Sequence, residues 1–318
     1  MKSHYLLFIL IVIYGYTSAQ NNNSVDETIA SVFETIEELS NFGYLANEQG
    51  YYNLAIEAFN EALIMDSTNL FCIANRAWSY NAIGDYQKSI IEYTRAINIE
   101  PNYLFYNVRG LLYEDMGEYK NALTDFENAI YKNESIPHPY YNKGRMMLHF
   151  DKINKAIEFH QKALELVERD DERADMLNSL GGIYFEIEEY DNSLKCFNEI
   201  IDINLASSYT LTRIGDIYRK TDKIEKSIDA YDLAIDTFDY VEPLAYLYRA
   251  KMNIIENFEQ WPNCKTDLLK YIELSPEDPI GYETYGGLLY MTQDDRYCDF
   301  LKIACEKGSC EIFYEICK

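Results

Sequence analysis

Four cysteines crowd the end of this 318-residue chain, Cys298, Cys305, Cys310 and Cys317, at spacings of 7, 5 and 7. Thiols this close in sequence form disulfides or hold a soft metal. Structural zinc sites use cysteine pairs separated by about two to four residues, which these spacings lack, so disulfide chemistry is the expectation and metal ligation is not. Cys72, Cys196 and Cys264 are scattered, and a total of seven leaves at least one cysteine unpaired. Cys72 and Cys196 read as small buried hydrophobes. Beyond residue 19, histidine occurs only at His138, His149 and His160, too few and too scattered to argue for a shared metal. The chain has no G-x-S-x-G, no phosphate-cradling glycine loop and no H-E-x-x-H, so no enzyme, metal or cofactor is expected.

What positions these residues is a repeat. A small residue recurs as Gly43, Ala77, Gly110, Gly144, Gly181, Gly215, Ala250 and Gly286, at separations of 34, 33, 34, 37, 34, 35 and 36. Twelve residues behind each of the first six comes a small-plus-aliphatic pair, with a similar pair seven further on: Ala55-Ile56 with Ala62-Leu63, Ser89-Ile90 with Ala96-Ile97, Ala122-Leu123 with Ala129-Ile130, and so through Ser227-Ile228 with Ala234-Ile235. Seven residues are two helical turns, so both pairs share a face. The small residue on the first helix lets the second approach, and the aliphatic partner fills the seam with the next unit.

At the residues that define it, the chain resembles the tetratricopeptide repeat family. The third unit shows Tyr106, Gly110, Tyr113, Gly117, Tyr119, Ala122, Phe126 and Ala129; the second shows Ala77, Tyr80, Gly84, Tyr86, Tyr93, Ala96 and Pro101. Gly84-Asp85-Tyr86 and Gly117-Glu118-Tyr119 mark turns in which glycine ends one helix and an acid suits the start of the next. The resemblance covers residues 36–306 and implies an all-α, right-handed superhelical solenoid of about eight helix-turn-helix repeats, with residues 307–318 as a short C-terminal capping helix. Units seven and eight depart from the pattern, with Asn257 to Pro262 replacing the usual turn and Tyr271 in an alanine slot.

Ahead of the array, Leu6 to Tyr14 is apolar and Thr17-Ser18-Ala19 places small residues where a signal peptidase reads. The apolar run is too short to span a bilayer of about 30 Å, so residues 1–19 read as a signal peptide cleaved after Ala19 and the chain as exported, periplasmic or secreted. Residues 20–35 form a polar leader and helix extension: Ser24 to Glu27 has the form of a capping box, and Ile29, Val32, Phe33, Ile36 and Leu39 continue at helical spacing. With 53 acidic against 28 basic residues the net charge is −25, a field that repels nucleic acid and anionic membranes. Asp170-Asp171-Glu172 fits an extended loop where the repeat spacing stretches to 37.

Cys298 and Cys305 fall in slots that hold aliphatics in earlier units, while Gly308 ends a helix and Cys310 to Cys317 spans a short one turning back. In such a hairpin the inner and outer cysteines pair, giving Cys305–Cys310 and Cys298–Cys317 as a clasp on the end unit. The stretch Ala304 to Cys310 also resembles the cysteine-bearing last repeat of secreted bacterial members. The family holds partner peptides in a concave groove lined by first helices. Carried onto this chain, the groove comprises Asn41, Tyr44, Asn47, Asn75, Trp78, Asn81, Asn107, Glu114, Asn142, Arg145, Asn178, Arg213, Asp216, Arg219 and Lys251. Amides both donate and accept, so the asparagine row suits the backbone of an extended protein or peptide partner. The carboxylate clamp of cytosolic chaperone-binding members needs basic partners that the first three units lack. Basic groove residues gather in units six and seven, which favours an acidic partner segment there. The groove aromatics Tyr44, Trp78 and Tyr141 suit a glycan or cell-wall ligand as the alternative.

Overall fold

The computed structural model describes residues 33, 35–256 and 261–317. Among them the regular elements are α-helices: α1 (Ile36–Glu48), α2 (Tyr52–Met65), α3 (Leu70–Ala82), α4 (Tyr86–Ile99), α5 (Tyr103–Asp115), α6 (Tyr119–Lys132), α7 (Pro137–His149), α8 (Ile153–Leu166), α9 (Asp170–Glu186), α10 (Tyr190–Asp202), α11 (Ser208–Lys220), α12 (Ile224–Thr237), α13 (Pro243–Glu256), α14 (Trp261–Leu274), α15 (Pro279–Met291), α16 (Tyr297–Glu306) and α17 (Glu311–Ile316). They form eight successive helix hairpins followed by α17. The chain divides after Leu166 into two compact units, the first holding α1 to α8 and the second α9 to α17. Within each unit every helix packs on the next, and first helices also meet, α1 with α3, α5 with α7 and α11 with α13.

Small residues on the first helices explain the hairpins. A Cβ on Gly43 would lie 2.7 Å from the Phe59 ring, on Gly110 2.6 Å from Phe126, and on Gly215 2.5 Å from Tyr231. Each aromatic comes sixteen residues after its glycine and sits over the glycine backbone, fully buried. The small residue twelve positions on contributes more than size where it is serine. The hydroxyls of Ser89, Ser193 and Ser227 donate to the carbonyls of Ala77, Gly181 and Gly215 at 2.8, 2.7 and 2.9 Å. A buried hydroxyl is thereby satisfied and the two helices are tied together.

The turns inside the hairpins need one residue in the left-handed region. Glycine provides it at Gly50, Gly84 and Gly117, whereas Asp151, Glu188, Asp222 and Gln293 occupy it in later repeats with φ of 54 to 62°. Asp85 caps α4 by accepting from the Lys88 N–H at 3.2 Å.

Two expectations are corrected. Asp170, Asp171 and Glu172 form the first turn of α9 rather than a loop. Carboxylates there face the positive end of the helix dipole, and the 17 residues of α9, against 13 in most first helices, account for the stretched spacing. The helical periodicity running from Ile29 to Leu39 is interrupted at Thr35, which has extended backbone and caps α1 through a reciprocal box with Glu38. Phe33, just before it, packs its ring 4.9 Å from Phe42. Cleavage after Ala19, the Ser24 box and Asn257 to Gln260 lie outside the described residues.

Candidate partner-binding face

In the first unit, most of the polar residues expected to face a partner are already engaged. Asn47 is 3 % exposed; its amide donates to the Asn75 carbonyl at 3.3 Å and its oxygen accepts from Ser79 at 2.8 Å. Asn142, 5 % exposed, donates to Asn107 Oδ1 at 3.0 Å. Asn75 turns its amide to its own helix, onto the Phe71 carbonyl at 2.8 Å. Glu114 pairs with Arg145 at 2.5 Å, and burial pushes its carboxyl above the usual range while Arg145 pulls it back. Asn47 and Asn142 are therefore bonds between successive first helices, not groove residues. This unit leaves two aromatic rings exposed: Tyr44 and Trp78 are 43 and 41 % exposed, their rings 6.2 Å from Phe71 and 5.6 Å from Tyr52. Tyr141 is half-buried, edge-on to His160 at 5.2 Å. Asn41 is exposed and Asn81 half-buried.

In the second unit the same helix positions carry a cationic cluster. Asp216 on α11, 2 % exposed, accepts from Arg213 at 3.2 Å, Arg219 at 3.3 Å and the Tyr231 hydroxyl at 2.8 Å. Arg213 lies 5.1 Å from the Tyr209 ring centroid. The Arg219 guanidinium sits 4.1 Å over Tyr248 on α13, and the Lys251 ammonium lies 5.9 Å from that same ring. Cation–π contact of this kind holds a charge while leaving its hydrogen-bond donors open. Burial lowers the pKa of Lys251, the Glu283 and Asp278 carboxylates oppose that shift, and the Arg219 charge adds to it. Asn178 on α9 is half-buried, with its Oδ1 lacking a hydrogen-bond partner.

One recurring arrangement escaped sequence reasoning. The residue just before the packing glycine or alanine is basic in four repeats, and it joins three helices each time. Arg76 donates to Asn60 on α2 at 2.7 Å and pairs with Glu92 on α4 at 2.8 Å. Arg109 reaches Thr94 on α4 at 2.8 Å and both oxygens of Asp125 on α6 at 2.7 Å. Lys143 pairs with Glu127 on α6 at 3.1 Å and lies 4.4 Å over Phe159 on α8. Arg249 reaches Asp232 on α12 at 2.8 Å and both oxygens of Asp267 on α14 at 2.8 and 2.6 Å. The forked guanidinium suits two partners at once. A basic residue at a fixed offset from the packing slot was the available signal.

The titratable groups weighed for chemistry are dispersed. His160 fills an aromatic core slot, with its Nδ1–H donating to the Ala156 carbonyl at 2.7 Å and burial lowering its pKa; His149 stacks on Tyr119 at 4.1 Å; His138 is exposed. Cys72, Cys196 and Cys264 are buried free thiols, and burial pushes that of Cys196 up to about 11. The structure pairs Cys298 with Cys317 and Cys305 with Cys310, with Cα–Cα distances of 5.6 and 3.9 Å.

Comparison with known proteins agrees with the hairpin geometry. The tetratricopeptide repeat model matches residues 72–103, 104–134, 174–207 and 208–237, which are the hairpins α3–α4, α5–α6, α9–α10 and α11–α12. A TPR repeat-containing protein of Methanocaldococcus jannaschii is 22% identical over 261 residues, covering 76% of this chain and 43% of that protein. Human tetratricopeptide repeat protein 6 is 28% identical over 124 residues, 39% of this chain and 24% of the relative. The chain thus spans less than half the length of these curated relatives. Among solved structures, a tetratricopeptide repeat protein from Parabacteroides merdae superposes with TM-score 0.57 at 18% identity, covering 85% of this chain and 98% of that one. Yeast Tom70 gives 0.53 at 18% identity, covering 83% and 57%. Repeat register, hairpin packing and these likenesses agree: residues 72–134 and 174–237 are tetratricopeptide repeats.

Proposed function

We propose that this chain is a non-enzymatic interaction scaffold, exported from the cytoplasm, that holds an extended or helical segment of a partner protein along the first helices of its repeats. The observation that carries the reading is the surface these helices present: aromatic rings on α1 and α3, and guanidinium and ammonium groups beside Tyr248 on α11 and α13. Such groups bind and orient. Support for export comes from the apolar run Leu6 to Tyr14 ahead of Ala19 and from the paired C-terminal cysteines, since disulfides persist in oxidising compartments.

Crosslinking mass spectrometry on the full chain, incubated with the envelope and secreted fractions of its host, tests the scaffold. A partner crosslinked to α3, α5, α11 or α13 is expected; crosslinks confined to second helices, or no partner at all, would overturn the reading. A glycan- or cell-wall-binding role is favoured by one feature, the exposure of Tyr44 and Trp78, whose faces suit sugar rings. Glycan-array binding that disappears in Trp78→Ala would select it instead.

A further inference from the structure

The last helix of the second unit is fastened through sulfur. α17 has six residues, none of them buried; Ile312, Phe313 and Ile316 are only half-buried. A helix in water needs roughly 12 to 15 residues to hold itself together, so α17 depends on what grips its ends. Cys310 stands at its start and Cys317 at its end, bridged to Cys305 and Cys298 in the last and first turns of α16. The one side-chain hydrogen bond beside it is that of the Ser309 hydroxyl to Glu283, at 2.8 Å. What α17 borders is apolar: Ile312 walls a cavity of 540 Å³ together with Ile255 of α13 and Ile280 and Met291 of α15.

The seven cysteines divide by access. The bridged Cys298, Cys305, Cys310 and Cys317 are half-buried, within reach of a small thiol. Cys72, Cys196 and Cys264 are 0, 7 and 0 % exposed. Burial raises the pKa of all three, which keeps them protonated and poor nucleophiles. Exchange at the C-terminal sulfurs therefore proceeds without drawing in another cysteine, and bridges opened there can close again in the same pairs.

We propose that α17 is a redox-released strap: a dithiol reductant opens both bridges, the helix unwinds from the end repeat, and reoxidation returns it. At each bridge a thiolate of the reductant attacks one sulfur, the S–S bond breaks as a mixed disulfide forms, and the second reductant thiol attacks that intermediate. Two electrons and two protons pass to the cysteine pair, and the reductant leaves as its own disulfide. Opening both bridges consumes two dithiols. The Ile312 wall then withdraws and the apolar cavity widens. This device is separate from whatever the first helices hold, and it depends on the sulfur pairing alone.

Dithiothreitol applied to the folded full chain, read by iodoacetamide mass mapping and amide hydrogen exchange, provides the test. Alkylation is expected at Cys298, Cys305, Cys310 and Cys317 only, and amides of residues 309–317 should then exchange at least about tenfold faster while α9 to α14 stay unchanged. Fluorescence of the neutral apolar dye Nile red should rise about twofold as the cavity opens. Cys298→Ser with Cys317→Ser should reproduce the faster exchange without reductant, and oxidised glutathione should restore both original pairs and slow exchange in the reduced wild type. Residues 309–317 that stay protected once four thiols are free would show that packing holds α17 and would overturn the proposal. So would bridges that resist dithiothreitol in the folded chain, alkylation at Cys72, Cys196 or Cys264, exchange spreading into α13 and α14, unchanged dye fluorescence, or scrambled pairs on reoxidation.

Discussion

Equivalent slots in the two units are put to opposite uses. In the first unit, Asn47 and Asn142 face first helices one repeat away and close hydrogen bonds with Asn75, Ser79 and Asn107, so polarity there binds repeat to repeat. In the second, Asp216 is satisfied within its own repeat, and Arg219 and Lys251 are left against a tyrosine face. A polar row along a helical array is therefore not evidence of a docking surface by itself. What decides is whether the next repeat already meets each group's hydrogen-bonding capacity.

The largest expected effect tests what the units share. Asp125→Ala in the first and Asp267→Ala in the second each remove the two-oxygen partner of a largely buried guanidinium, leaving Arg109 with Thr94 and Arg249 with Asp232. Removing one partner of such a pair costs about 3 kcal/mol, so urea unfolding should show a loss of that order in both variants. A loss below about 1 kcal/mol in either would mean that the three-helix tie is structural in one unit only. Next, Cys298→Ser with Cys317→Ser opens a linkage of sequence separation 19, worth about 3 kcal/mol by loop entropy. Because α17 contains no buried residue, the loss should appear as fast amide exchange over residues 309–317, with α9 to α12 unchanged.

Glycines sharpen the contrast at smaller scale. Gly110→Ala drives a methyl into the Phe126 ring and should destabilise by about 1 to 3 kcal/mol. Gly287→Ala should stabilise by up to about 1 kcal/mol, since its methyl meets open space. Opposite shifts in melting temperature are the expected reading, and shifts of the same sign would mean that close packing does not separate the two glycines. The smallest effect concerns Asn75, whose amide is turned onto its own helix. Asn75→Ala should leave partner affinity within about twofold, below 0.5 kcal/mol by the logarithmic relation of affinity to energy. A larger change would bring the first unit's amides back into the binding face.

The hairpin register was legible in the sequence because Gly43, Gly110 and Gly215 each need an aromatic at a fixed distance, and steric demand leaves a periodic trace. Availability of the amides was not legible. An asparagine has the same letter whether its amide meets a partner or the carbonyl of Asn75, and only the spacing of first helices separates the two. Asp170 to Glu172 was misread because acids suit both loops and helix starts, and the extra turn of α9 cannot be seen in residue type alone. Arg76, Arg109 and Arg249 were passed over because their partners lie on two other helices, at separations of 15 to 18 residues, beyond the reach of helical periodicity.

The left-handed turn residues carry a consequence for how this protein tolerates heat. Gly50, Gly84 and Gly117 adopt that backbone freely, but Glu188 and Gln293 hold it with full side chains, at about 1 to 2 kcal/mol each. Strain relieved on melting adds to the drive to melt, so the hairpins α9–α10 and α15–α16 sit nearer their thermal ceiling than those with glycine corners. Glu188→Gly and Gln293→Gly, like glycine at Asp151 or Asp222 in the same backbone conformation, are accordingly edits expected to raise the melting temperature.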